Sequence, residues 1–224
     1  MTPQDRSGAI VWDCDGTVVD SEPIGIDTWT RLLTNYGCTP SRADWELLVG
    51  RPYPAFYDHF AERCELPPPQ DLMDVYVQRL YPALRSGLRA FADAVAAIEV
   101  LAARNIPMAI ASSSYRGRLD LMLEVVGLAG KFDATVAGDE VDAGKPGPDI
   151  YEAAAAKLGV PVAGCLAVED TAPGVEAAMA AGMRVVGVAR GARSAEQLAA
   201  ADVVVHTLDG EQLWDLLHRT EGRE

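Results

Sequence analysis

The sequence is poor in positive charge. Its 19 Lys and Arg are outnumbered by 33 Asp and Glu, which leaves the 224 residues with a net charge of −14. Nucleic-acid binding rests on clustered Lys and Arg that neutralise phosphates, and no basic run occurs, so that class is set aside. A phosphorylated small molecule is still admissible if a metal and a few cations are placed locally. The acidic balance otherwise makes a self-repelling surface. No apolar run approaches the roughly 18 residues of a membrane-spanning helix. The start, Met1 to Gly8, is polar and lacks the apolar stretch of a signal peptide.

Cysteine is scarce and scattered. Cys14, Cys38, Cys64 and Cys165 form no Cys-x-x-Cys pair, and reduced, mostly buried thiols in a cytoplasmic protein are the expectation. Cys14 lies among acids but reads as a small apolar filler. His59, His206 and His218 have no partners that would make a triad or a zinc site, and read as surface or packing residues. Internal repeats and low-complexity segments are also missing. What is present is ordinary for a chain that buries a core: 49% hydrophobic and 23% charged residues. The length fits one large domain, or a core domain with a modest insert.

Short apolar runs alternate with helical patterns. Strands are expected at Ala9–Trp12, Pro107–Ala111, Ala134–Ala137, Cys165–Val168, Arg184–Val188 and Asp202–Val205. Between them, residues such as Leu88, Phe91, Val95, Ile98 and Leu101 keep helical spacing. One helix from near Pro148 should stop at Gly159, and another after Pro173 at Gly182. This alternation predicts an α/β fold with a doubly wound, mostly parallel sheet. Residues 21–87 break the pattern and read as helices only. Nine of the fifteen aromatics fall there, which suggests a helical domain with its own core. The α/β domain would then comprise residues 1–20 and 88–224.

The most informative stretch is Asp13-Cys14-Asp15-Gly16-Thr17, directly after the apolar run Ala9–Trp12. Two carboxylates at the tip of a buried strand ask for a cation, a shared proton or a reaction, because burying uncompensated charge is costly. Three further polar clusters follow candidate strands: Ser112-Ser113-Ser114, then Gly144-Lys145-Pro146, then Glu169-Asp170. In open α/β sheets, ligands gather beyond the carboxyl ends of the strands. Four such clusters in this order point to metal-assisted phosphoryl transfer.

This series resembles that of the haloacid-dehalogenase superfamily. The stretches Asp13–Pro23, Gly144–Asp149 and Val168–Gly174 are similar to its β-phosphoglucomutase and sugar-phosphatase branch, and the likeness runs from about Ala9 to Val205. The resemblance implies that residues 21–87 are a helical cap domain. It implies Asp13 as the nucleophile that forms an aspartyl-phosphate, Asp15 as general acid and base, Ser112 as phosphate-binding hydroxyl and Lys145 as the neutralising cation. It implies one Mg²⁺ held by Asp13, the Asp15 backbone carbonyl and Asp170, with Glu169 at or near the metal. Few protein oxygens and several waters suit magnesium. Thr17, Ser113, Arg51 and Glu22 are candidate substrate contacts. Ser113 and Ser114 read otherwise as caps or turn formers, and Arg51 could equally be solvated.

The implied activity is Mg²⁺-dependent hydrolysis of a small phosphorylated metabolite, with a sugar phosphate foremost and no nucleic acid, membrane or obligate protein partner. A β-phosphoglucomutase-type phosphomutase is the alternative. Those mutases carry a histidine in the first cap helix where this chain has Gly25, and a lysine where it has Leu72. A dehalogenase would need neither Asp15 nor Asp170. A non-catalytic phospho-receiver would have no reason to carry the helical insert.

Overall fold

The computed structural model describes residues 8–48, 53–190 and 195–218. The chain divides into two compact units, one of residues 1–20 and 89–224 and one of Ser21–Leu88.

The first unit is an α/β sandwich around a six-stranded parallel sheet. Its strands are β1 (Ala9–Trp12), β2 (Met108–Ser112), β3 (Ala134–Ala137), β4 (Cys165–Glu169), β5 (Arg184–Val188) and β6 (Val203–Val205), in the spatial order β3-β2-β1-β4-β5-β6. The chain winds from β1 outward through β2 to β3, then crosses back to β4 and winds the other way. Strand order therefore reverses between β1 and β4, which is where such sheets open a ligand crevice. β2 and β4 each run one residue further than expected, because Ser112 pairs with Ala137 and Glu169 with Gly187. Two residues read as lying beyond a strand thus close it, and their backbones are fixed by the ladder. β6 starts one residue late, at Val203.

The strands of β1, β2 and β4 are buried along their whole length, as a parallel sheet covered on both faces requires. Ala9 and Val11 belong to a core cluster that includes Ile150, Tyr151 and Ala154. Those three come from α7 (Asp149–Leu158), and the same cluster takes Val175 and Ala178 from α8 (Ala172–Ala181). Ile10 and Trp12 point to the other face and are fully buried there. Both helices end as expected, with left-handed Gly159 and Gly182 as C-caps. The unit also contains α5 (Ala92–Ala103), α6 (Arg116–Val125) and α9 (Gly210–His218), of which α5 packs on α9.

The second unit is helical throughout: α1 (Glu22–Thr34), α2 (Arg42–Leu48), α3 (Tyr53–Ala61) and α4 (Pro69–Gly87). Leu33, Leu48, Phe56 and Phe60 form its core. Trp29 of α1 stacks on Tyr76 of α4 with ring centroids 3.9 Å apart and planes within 8°. Asp44, His59 and Arg63 form a polar knot in which His59 Nε2 lies 2.7 Å from Asp44 Oδ1. His59 thus has a packing role.

The cysteine expectation is corrected here. Cys38 and Cys64 are joined in a disulfide, with Cα atoms 5.8 Å apart, whereas Cys14 and Cys165 are free and buried. Packing of the chain after α3 against the end of α1 closes the 26-residue separation, a proximity that no local spacing announces. Among the described residues, no helix is long and apolar enough to cross a membrane.

Candidate active site

The register of the sheet brings the site together. Trp12 pairs with Ile110 on one side and with Val168 on the other. The next residues, Asp13, Ala111 and Glu169, therefore emerge level with one another across three strand tips. The Asp13 backbone N–H still donates to the Val168 carbonyl at 2.9 Å, so Asp13 is held as an extension of β1. After it the chain turns sharply. Gly16 takes φ +88, a conformation that costs an L side chain strain, and the Val18 and Val19 N–H groups both donate back to the Cys14 carbonyl.

Lys145 reaches this centre from the loop before α7. Its ammonium donates to Asp13 Oδ1 at 2.6 Å, to Glu169 Oε1 at 2.6 Å and to the Ala111 carbonyl at 3.0 Å. Its side chain is 6% exposed, and that of Glu169 is fully buried. Glu169 is satisfied on both oxygens. Oε1 also accepts from the Tyr151 hydroxyl at 2.8 Å, and Oε2 accepts from the N–H groups of Asp170 and Thr171 and from the Thr171 hydroxyl. Thr171 in turn caps α8 through the Gly174 N–H.

These contacts set the electrostatics. Burial pushes the Asp13 carboxyl well above the usual aspartate range; Lys145 pulls it back, and the charges of Glu169 and Asp170 push it further up. Burial acts upward on Glu169 too, but the Lys145 ammonium and the hydrogen bonds from Tyr151 and Thr171 outweigh it, and that group lies below its ordinary value. Burial works against the Lys145 ammonium, yet attraction to Asp13 and Glu169 wins and raises it well above the normal lysine range. The two acids share one ammonium, and Glu169 has the larger set of donors.

Asp13, Glu169 and Asp170 form a buried carboxylate group whose ligand oxygens lie within 4.8 Å of one another. Three acids against the Lys145 ammonium leave an excess of negative charge away from water, and all the donors are hard oxygens. That chemistry fits a small divalent cation such as Mg²⁺. Thr17 is buried, and its hydroxyl donates to Asp170 Oδ1 at 3.2 Å.

Asp15 faces the start of α6. Its Oδ2 accepts from the Ser114 hydroxyl at 2.9 Å and lies 3.5 Å from the Ser112 hydroxyl, while Oδ1 accepts from Arg118 at 2.7 Å. Ser112 is buried and its hydroxyl accepts the Ser114 N–H. Ser113 is exposed, and its carbonyl lies against Gly138. Glu22 is half-buried in the first turn of α1, in the helical unit. Arg51 lies outside the described residues. Sequence reading did not single out Arg118, Tyr151 or Thr171, and it took Ser114 for a turn former. An arginine four residues after a serine at a helix start was the available signal for the first of these. Beside this site, Glu140 accepts from Arg116 and Lys157, and the Arg116 hydrogen bonds hold its carboxyl down at about 2.

Residues 10–188 match the family model for haloacid dehalogenase-like hydrolases. The chain belongs to that family. It is 30% identical to the fructose-1-phosphate phosphatase YqaB of Escherichia coli over 82% of its own length and 97% of the relative's. It is also 30% identical to the bifunctional riboflavin kinase/FMN phosphatase of Arabidopsis thaliana, spanning 54% of that longer protein. Among solved structures, an Entamoeba histolytica protein described as a HAD hydrolase, family IA, variant 3, superposes with a TM-score of 0.82. Identity is 26%, and the match covers 95% of this chain and 100% of that one.

Proposed function

We propose that this member of the haloacid dehalogenase-like family is a Mg²⁺-dependent phosphatase for a small phosphorylated metabolite, with sugar phosphates as the favoured class. The observation that carries the reading is the Lys145 ammonium, bound at 2.6 Å to both Asp13 and Glu169 within the buried acid group. An anionic phosphate approaching a carboxylate nucleophile needs that cation.

In the first half of the reaction an Asp13 oxygen attacks phosphorus, the ester P–O bond breaks, and Asp15 gives its proton to the departing oxygen. In the second, water attacks phosphorus and Asp15 takes a proton from it. The bond to Asp13 then breaks and inorganic phosphate leaves. Ser112 and Lys145 hold the phosphoryl oxygens. Asp13 and Asp170, with the Asp15 backbone carbonyl, would hold Mg²⁺, which supplies charge neutralisation at the phosphoryl group. Glu169 keeps Lys145 in place. Positioning and electrostatics are most of what phosphoryl transfer asks of a protein.

Two features of the helical unit support hydrolysis over mutase chemistry. A Cβ on Gly25 would lie 3.3 Å from the Tyr76 hydroxyl, so any side chain there would press on Tyr76. Leu72, at the position where such mutases carry a lysine, is an apolar side chain fully buried. The E. coli relative is named for a sugar phosphate, which supports the substrate class. Cytoplasmic location belongs to this proposal and rests on that class, since the paired cysteines no longer argue for it.

The test is a screen of phosphorylated metabolites with Mg²⁺, scoring inorganic phosphate and isomerised product together. Phosphate release should dominate, and Asp13→Asn should abolish it. Conversion of hexose 1-phosphate to hexose 6-phosphate faster than phosphate release would make the chain a mutase. Substantial phosphatase activity in Asp13→Asn would remove the nucleophile.

A further inference from the structure

Asp15 is gripped from outside its own loop. Arg118 Nη2 donates to Oδ1 at 2.7 Å, and Ser114 Oγ donates to Oδ2 at 2.9 Å. Each oxygen of the carboxyl group has its own donor, and the two donors are four residues apart, one on each side of the α6 N-cap at Tyr115. That spacing puts them on one side of the helix start. The Ser114 end is fixed to the sheet: its N–H donates to Ser112 Oγ, and its carbonyl accepts from the Gly138 N–H. Arg118 brings a rigid planar fork. Its side chain is 28% exposed, so the contact is neither a deep core pair nor a fully solvated one.

As a stabilising tie alone, an ion pair of this exposure would contribute little. The geometry points to more. The turn Asp13–Val19 fixes the Asp15 backbone, whereas the carboxyl group still rotates about two side-chain bonds. Proton transfer needs it within hydrogen-bond reach of the reacting oxygen, and freedom about those bonds lowers the fraction of time spent there. We propose that Arg118, acting with Ser114, is the positioning residue that orients the Asp15 carboxyl for proton transfer to the leaving group and from water. This rests on the assignment of Asp15 as acid and base given above.

Two esters separate positioning from stability. When glycerol 2-phosphate transfers its phosphoryl group, the departing alkoxide must receive a proton as the P–O bond breaks. p-Nitrophenyl phosphate releases a stabilised phenolate that needs none. Rapid-quench measurement of the first turnover isolates this step from water attack. For Arg118→Ala, first-turnover release from the alkyl ester should fall about 10-fold or more, and from the aryl ester by no more than about threefold, within the 10²–10⁴ that acid–base catalysis supplies. The aryl reaction should also gain a burst, because water attack on the Asp13-bound phosphoryl group is slowed. Arg118→Lys should restore part of the alkyl rate, and Asp15→Ala/Arg118→Ala should be no slower than Asp15→Ala alone.

An equal loss on both esters, or a double variant slower than Asp15→Ala, would overturn the proposal. Should Arg118→Ala fail to fold, the alkyl-to-aryl ratio in Arg118→Lys and Arg118→Gln decides, and a ratio equal to wild type overturns it. A wild-type chain that releases phosphate neither from these esters nor from any phosphorylated metabolite of the screen sinks the phosphatase reading itself. A wild type active on both, with the ratio unchanged in every Arg118 variant, sinks only the role of Arg118.

Discussion

Lys145 is the residue on which the most depends, because it faces two buried carboxylates at once. Replacing it by methionine keeps the volume and removes the charge. Asp13 and Glu169 then lose their shared ammonium, and breaking a buried pair from one side costs about 3–5 kcal/mol. Lys145→Met should therefore lower the stability of the α/β unit by that order in a denaturant titration. It should also lower kcat/KM about 10²–10³-fold, the usual effect of removing one preorganised donor from a developing anion. Unchanged stability would mean that Asp13 and Glu169 do not share the cation in solution. Asp13, Asp15, Lys145, Glu169 and Asp170 were all legible in the sequence as candidates, since the four acids carry charge where an apolar run ends and Lys145 stands just before a helix. Tyr151 was not. It reads as one more apolar face residue of α7, and only the fold shows its hydroxyl 2.8 Å from Glu169. Arg118 was hidden for a similar reason: its partner is 103 residues away in sequence.

At the scale of elements, the β4–α8 junction shows how tightly the sequence is constrained. Glu169 closes β4, Thr171 caps α8, and Gly174 lies in the first turn of that helix. A Cβ at Gly174 would collide with the Glu169 carboxylate. The glycine is thus required by close approach, not by backbone conformation. Gly174→Ala should push Glu169 away from Lys145 and lower both stability and turnover, although alanine is the better helix former by about 1 kcal/mol. A gain in thermal stability from Gly174→Ala would show that the junction relaxes freely. Strand order follows the same logic. Alternation of apolar runs and helical stripes made the doubly wound sheet readable, and glycines marked the ends of α7 and α8. The extra residue on β2 and on β4 was not readable, because strand ends are set by the neighbouring ladder: Ala137 for Ser112 and Gly187 for Glu169. The Cys38–Cys64 pair was missed for the same reason, since helix packing sets that distance.

The whole molecule carries a net charge of −14, and much of the cost of gathering acids falls on one buried place. A divalent cation bound by folded but not unfolded chain stabilises the fold by mass action, about 2.7 kcal/mol when its concentration is 100 times the dissociation constant. For a chain of this size that corresponds to a rise of about 5–10 °C in the unfolding midpoint. Mg²⁺ should produce such a rise, and a chelator should reverse it. An acidic surface alone would also respond to Mg²⁺ through screening, so the control is internal. Asp170→Asn removes one carboxylate of the buried group and leaves the surface almost unchanged. Sodium chloride at matched ionic strength supplies screening without a divalent ligand. The rise should vanish in the variant and be absent with sodium in the wild type. Equal shifts in the wild type and Asp170→Asn would assign the effect to the surface and leave the acids as a structural group, with Asp13 and Glu169 held by Lys145.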